Sequence, residues 1–217
     1  MSSEVEICNL ALSQIRAGSI NSLTESSTLA QYCRLWYPIS RDRCLREPWQ
    51  FNRTIRPLAV STTEIFNWAY SYSYPVDCLK IHRLIGSFEE IPAGTSDVAS
   101  RLLDSRVRSL KGQRRQIPYE VFNFDSAKLL GSGQKDLRIQ FARKITDPNL
   151  MSDDFIIALS YLLASQLAIP VVGAELGRAL RGESLSLYKE HLAAALADDL
   201  NDGYLEQRES DFVTVRD

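Results

Sequence analysis

The sequence predicts an α+β protein: a helical bundle formed by N- and C-terminal helices, with an inserted antiparallel β domain. Three observations predict it. Apolar residues recur at three- and four-residue spacing from Ile7 to Cys44. The period changes to two within residues 50–85. From Ser152 the helical period returns.

The first helix spans 3–17. Ile7, Leu10, Ala11, Gln14 and Ile15 follow helical spacing, and Gly18 is the expected stop. Residues 19–26 form a loop rich in Ser, Thr and Asn. Ser27 or Thr28 caps a second helix through about Arg46, whose apolar positions are Leu29, Tyr32, Cys33, Trp36, Tyr37 and Cys44. Pro38 predicts a kink or break near Tyr37, and Pro48 ends the pattern.

Phe66, Trp68, Tyr70, Tyr72 and Tyr74 alternate with small or polar residues, which puts every aromatic on one strand face. Further strands are expected at 78–85, 118–124, 127–130 and 136–145, with Gly131 to Asp136 as a hairpin-type connection. The long segment from Gly86 to Gln116 interrupts them, and its 97–104 stretch suits one short helix. Ser152 then caps a helix with Asp153 and Asp154 in its first turn, running to Pro170. A last helix is expected from about Ala174 to Asp202, with Gly182 as a weak point and Gly203 as its stop. Residues 1–49 and 150–203 thus make a helical sub-domain. Residues 50–149 make a β sub-domain with a basic arm near 97–116, and 204–217 form a C-terminal tail.

Composition is that of a soluble globular chain. Of 217 residues, 45% are hydrophobic and 24% charged, so a core is within reach. The formal net charge of -2 means that any basic surface must be local. Four cysteines without a CxxC, and only His82 and His191, argue against zinc. The cysteines read as buried free thiols of a reducing compartment. The N-terminus does not read as a signal peptide. The apolar stretch 155–172, interrupted by Ser160, Ser165, Gln166 and Pro170, reads as too short and too polar to span a bilayer.

Chemistry is sparse. There is no GxSxG, HExxH, P-loop or GxGxxG. Neither histidine sits in a nucleophile pattern, so both read as structural. No catalytic residue, cofactor or metal ligand is assigned, and only a glycosidase-type carboxylate pair stays formally open. The aromatic ladder is either a core face or a stacking platform for single-stranded nucleic acid. No Lys or Arg lies between 57 and 79, which favours the core.

Two segments stand out by charge. Residues 101–116 hold Arg101, Arg106, Arg108, Lys111, Arg114 and Arg115 against Asp104 alone. That is either a solvated loop or a contact for phosphate or an acidic surface. From Glu190 to Asp217 eight acids face two arginines, and the chain closes on Phe212-Val213-Thr214-Val215. That is either a solvated end or a docking segment.

Several short stretches follow one another in a telling order: Asn9-Leu10-Ala11-Leu12, Ile20-Asn21-Ser22-Leu23, and Arg41-Asp42 with Pro48-Trp49-Gln50-Phe51. Then come Leu58-Ala59, Trp68-Ala69-Tyr70, Tyr72, Pro75 and Asp77-Cys78-Leu79, and later Leu162-Leu163-Ala164 and Tyr188-Lys189-Glu190-His191-Leu192. Together they resemble the tail tubular protein A family, the ring-forming head-to-tail adaptors of short-tailed bacteriophages. The resemblance touches most of 5–80 and 152–200, and least of 86–135. It implies a helical bundle with a β domain, in a ring of twelve copies between the portal protein and the tail nozzle or tube. DNA passes non-specifically through the lumen. It implies a virion component assembled in the host cytoplasm, with no cofactor and no membrane. Phe212, Val213 and Val215 are then portal-interface candidates, and Arg101, Arg106, Arg108, Lys111, Arg114 and Arg115 face the tail or the DNA. Two other classes stand beside it: a nucleic-acid-binding α+β protein using the basic arm, and an envelope-degrading tail hydrolase.

Overall fold

The computed structural model describes residues 3–86, 117–124 and 127–201. Over these the chain is α+β, with four α-helices and two small antiparallel sheets, the helices lying N- and C-terminal to the strands. It divides into two compact units, Met1–Asn52 with Lys144–Asp217, and Arg53–Arg143. The short helix expected at 97–104 and the stop at Gly203 lie outside the described residues.

In the first unit, α1 spans Glu4–Gln14. Ser3 and Glu6 close a capping box: the Glu6 N–H donates to the Ser3 hydroxyl, and the Ser3 N–H to the Glu6 carboxylate at 2.7 Å. The helix ends before Gly18, because Arg16 takes the left-handed conformation (φ 56°) and Ala17 N–H caps the Leu12 carbonyl. Helix α2 spans Thr28–Cys44, with the Ser27 hydroxyl accepting from Ala30 N–H. Pro38 sits inside it without breaking it. The missing N–H costs one hydrogen bond, which the burial of Tyr37, Ser40 and Arg41 in the same stretch of helix offsets.

Helix α3 spans Asp153–Val172, capped by Ser152. It passes through Pro170 and stops at Gly173, whose φ of 98° suits glycine. This corrects the sequence reading on two counts: Pro170 is not the end, and the helix is long and apolar enough to cross a membrane by length and composition alone. Its apolar window is 61% buried inside the protein, because α1, α2 and α4 (Ala174–Asn201) all pack on it. A helix apolar on all sides is what the centre of a bundle requires. Gly182 does not interrupt α4.

In the second unit the strands are β1 (Arg53–Pro57), β2 (Tyr70–Ser73), β3 (Cys78–Gly86), β4 (Tyr119–Phe124), β5 (Ala127–Ser132) and β6 (Leu137–Arg143). One sheet has the order β1-β6-β3, the other β2-β5-β4. Residues Gly131 to Asp136 are therefore not a hairpin. They carry the chain from one sheet to the other, and Asp136 makes the change of direction at φ 56°. The core holds Leu58, Tyr72, Cys78, Leu84, Leu130, Leu137, Ile139 and Phe141, so both sheets contribute to it.

The aromatic ladder is shorter than its alternation suggested. Only Tyr70–Ser73 is strand. Asn67 turns the chain at φ 71°, and Phe66 beside it is 88% exposed. Ser71 is buried as well as Tyr72, because its hydroxyl donates to the Thr63 carbonyl and its own carbonyl accepts from Ser61 N–H. The strand is thus covered on both faces, and period two overstates its length.

Candidate functional site

Several of the residues that carry the resemblance pack in the helical unit, and others lie in the β unit. Trp49 is fully buried. Its indole N–H donates to the Cys44 carbonyl at 2.8 Å, and its ring meets Phe155 edge-on at 5.3 Å and Phe51 at 5.7 Å. Gln50 N–H donates to the Asp199 carboxylate, which ties the same turn to α4. Asn9 clamps Ile20 with two hydrogen bonds, at 2.9 Å from its amide to the carbonyl and 2.8 Å from the Ile20 N–H to its oxygen.

Arg41 is the one cation buried in this unit's described residues, at 5% exposure. Its Nε and Nη2 donate to Asp42 Oδ1 at 2.9 and 2.8 Å, and Glu4 lies 3.9 Å away. Lys144 reaches the other Asp42 oxygen at 2.9 Å. The guanidinium also lies 5.8 Å from the centre of the Tyr37 ring. Burial, and then the Glu4 carboxylate, push the Tyr37 phenol up. These charges neutralise one another. Removing Asp42 would leave the buried Arg41 guanidinium without its hydrogen-bonded partner, so the cluster fixes Arg41 in place rather than waiting for a ligand.

Nucleophiles fare no better. All four cysteines are free and buried. The hydrogen bond with Cys33, reinforced by burial, pushes the Cys8 thiol up. Burial pushes Cys44 up to about 12 and raises Cys78. These three stay protonated, as small apolar side chains rather than nucleophiles, while the hydrogen bond from Cys8 pulls the Cys33 thiol down against its burial. His191 stacks flat on Tyr161 at 4.8 Å. Among the described residues no group of His, Cys, Asp and Glu converges as metal ligands would.

The aromatic platform is occupied by packing. The Trp68 ring lies against Gly131 so closely that a Cβ there would fall 2.7 Å from it, and its indole N–H donates to Glu120 at 3.2 Å. Lys128 Nζ lies 4.0 Å from the Tyr74 ring centre. The portal candidates Phe212, Val213 and Val215, and the basic candidates Arg101, Arg106, Arg108, Lys111, Arg114 and Arg115, lie outside the described residues.

A second basic feature is absent from the sequence reading. Strands β1, β6 and β3 together carry six Lys and Arg and no Asp or Glu. The register sorts them. Leu137, Ile139 and Phe141 face the core, so Arg138, Gln140 and Ala142 lie on the opposite face, where Arg138 is exposed and Gln140 and Ala142 are themselves buried. On that outer face Lys80, Ala142 and Arg53 form one row, Arg83, Gln140 and Ile55 the next, and Ile85, Arg138 and Pro57 the third. Arg83 Nε donates to Gln140, which holds the guanidinium along the sheet. Arg56 belongs to the other side, paired with Asp77 and lying 5.3 Å from the Phe141 ring centre. The signal was in the sequence: each of these strands carries two cations and no acid. It is scattered over ninety residues, so no linear window finds it. No family model and no curated protein matches this chain.

Proposed function

We propose that this chain is a structural head-to-tail adaptor of a short-tailed bacteriophage, forming a ring between the portal protein and the tail nozzle or tube. The reading starts from the resemblance to the tail tubular protein A family. The observation that carries it further is where the shared residues lie. Asn9, Arg41-Asp42, Trp49 and Leu162-Leu163 are caps, buried ion pairs and core, so the pattern marks a scaffold rather than a reaction centre. A scaffold built to be occupied by its own side chains suits a protein whose work is to hold others in register. On this reading the chain needs no cofactor. Its partners are the portal, the nozzle or tube, further copies of itself up to twelve, and DNA in transit.

Weak contacts per chain suffice in a ring, because many copies engage one partner at once. The acidic tail with Phe212, Val213 and Val215 is the proposed portal contact. Co-sedimentation of purified chain with portal particles tests it. Wild-type chain should pellet with portal and form rings visible by electron microscopy, and a chain truncated after Gly203 should stay folded and remain in the supernatant. Truncated chain that pellets at the wild-type level would remove the tail from the portal interface. Wild-type chain that never pellets would remove the adaptor reading itself.

A further inference from the structure

We infer that the outer face of the β1-β6-β3 sheet is a sequence-independent binding surface for the phosphate backbone of duplex nucleic acid. Four cations, Arg53, Lys80, Arg83 and Arg138, lie on that one face. Among the described residues none of them is ion-paired. Lys80 and Arg138 are exposed, and Arg53 and Arg83 half-buried. The three strands supply no acid to offset them. Like charges held together without counter-ions repel, so a fold keeps such an array where a polyanion relieves it.

His82 lies close enough to two of these cations to feel their charge. Its imidazole is pushed below the ordinary range by burial and then by the charges of Arg53 and Lys80, and its Nε2 has no hydrogen-bond partner. The second sheet offers a contrast within the same unit: its strands hold Lys128 balanced by Glu120.

Spacing favours a duplex. Arg53 and Lys80 stand on the two outer strands, about 10 Å apart across two strand spacings. Successive rows follow at roughly 7 Å, two residues along a strand. The width is that of a groove edge, since the major groove measures about 12 Å between its bounding backbones. Three of the four cations are arginines, whose planar fork matches phosphate oxygens. The face carries no exposed aromatic on which a single strand would stack, only Ile55, Ile85 and Pro57. None of the four cations belongs to the basic stretch 101–116, and the binding needs neither a ring nor a portal.

The test is fluorescence anisotropy of the full chain with a labelled 20-base-pair duplex, between 50 and 200 mM salt. Four phosphate contacts predict a slope of log K against log salt of about -3.6, or roughly a hundred-fold loss over that range. The double variant Lys80→Glu/Arg138→Glu changes two exposed side chains, and its melting temperature should match wild type. It should bind at least tenfold more weakly, with the slope reduced by about 1.8, two contacts' worth. If charge reversal unfolds it, Lys80→Gln/Arg138→Gln gives the same reading. Two control arms decide between surfaces and ligands. A duplex affinity unchanged in the sheet variant, but lost on reversing Arg106, Arg108, Arg114 and Arg115 to Glu, would overturn the assignment to the sheet. Tighter binding to polyglutamate than to duplex at equal salt would overturn the assignment to nucleic acid, in favour of an acidic protein partner. Saturation by single-stranded RNA ahead of duplex would overturn the duplex preference. None of these outcomes bears on portal co-sedimentation, so this inference and the adaptor reading fail separately.

Discussion

Trp49 shows how much a single side chain holds in this protein. It is fully buried, satisfies the Cys44 carbonyl, and packs on two phenylalanines. Trp49→Ala should cost about 3–5 kcal/mol through the cavity alone. Trp49→Phe keeps most of the volume and leaves the carbonyl only its bond from Glu47 N–H at 3.2 Å, so about 0.5–1.5 kcal/mol is expected. Urea denaturation of both variants separates packing from hydrogen bonding. If Trp49→Phe is as stable as wild type, the Cys44 bond contributes nothing measurable. His82 gives a pH signature. Burial first, then Arg53 and Lys80, lower its folded pKa from 6.5. A base with a lowered folded pKa binds fewer protons folded than unfolded. Its contribution is therefore fully present above pH 6.5 and is lost as pH falls through the folded value. The urea midpoint should rise from pH 5 to pH 6.5, and His82→Gln should reduce that rise. An identical slope in the variant would assign the pH dependence to carboxylates instead.

Helices α3 and α4 cross at a glycine. A Cβ on Gly177 would fall 2.7 Å from the Ala168 carbonyl oxygen and 2.9 Å from Ile169 Cα, so backbone itself is the obstacle. Gly177→Ala must push the helices apart and should be destabilising, by a few kcal/mol as overpacking generally is. Gly182, five residues on in the same helix, has open space around it. Gly182→Ala should stabilise by about 0.5–1 kcal/mol, because alanine loses less backbone entropy in a helix. Thermal melts of the pair should move in opposite directions; melts that move together would mean that helix propensity alone governs both sites. Such a crossing was not legible in the sequence, where Gly182 looks like the weak point of the helix and Gly177 does not stand out. What was legible followed from local chemistry: Ser27 and Ser152 as caps, the α+β order, and strands at 78–85 and 118–124 close to those found. What was not legible depended on tertiary partners. Pro38 and Pro170 stay helical because the bundle offsets their lost hydrogen bonds. The β5–β6 connection looks like a hairpin until the pairing partners of each strand are known. The cationic face exists only once β1, β6 and β3 are side by side.

At the scale of the whole chain, the β unit is an insertion. The chain leaves the helical unit after Asn52 and returns to it at Lys144. Those two crossings are close together, because Arg53 pairs directly with Ala142 at the open end of the β1-β6 ladder. Opposed residues in an antiparallel pair stand about 5 Å apart, so a short flexible connection spans the gap. Within the helical unit Trp49 packs on Phe51 and Phe155, and Ile7, Leu12 and Leu159 are fully or almost fully buried. Replacing 53–143 with about four Gly and Ser residues should therefore leave a protein that melts in one cooperative transition and, in a Trp36→Phe background, emits as the buried Trp49 indole. The excised segment 53–143, expressed alone, should keep the charge array of its first sheet and bind duplex DNA with the same salt slope as the full chain. A linker variant that shows no cooperative melt would mean that the helical unit is stable only with the β unit attached. A folded β unit whose affinity falls tenfold or more would mean that the phosphate surface draws on helical-unit residues as well. The two measurements thus decide whether a scaffold and a nucleic-acid surface, held in one chain, are physically separable parts.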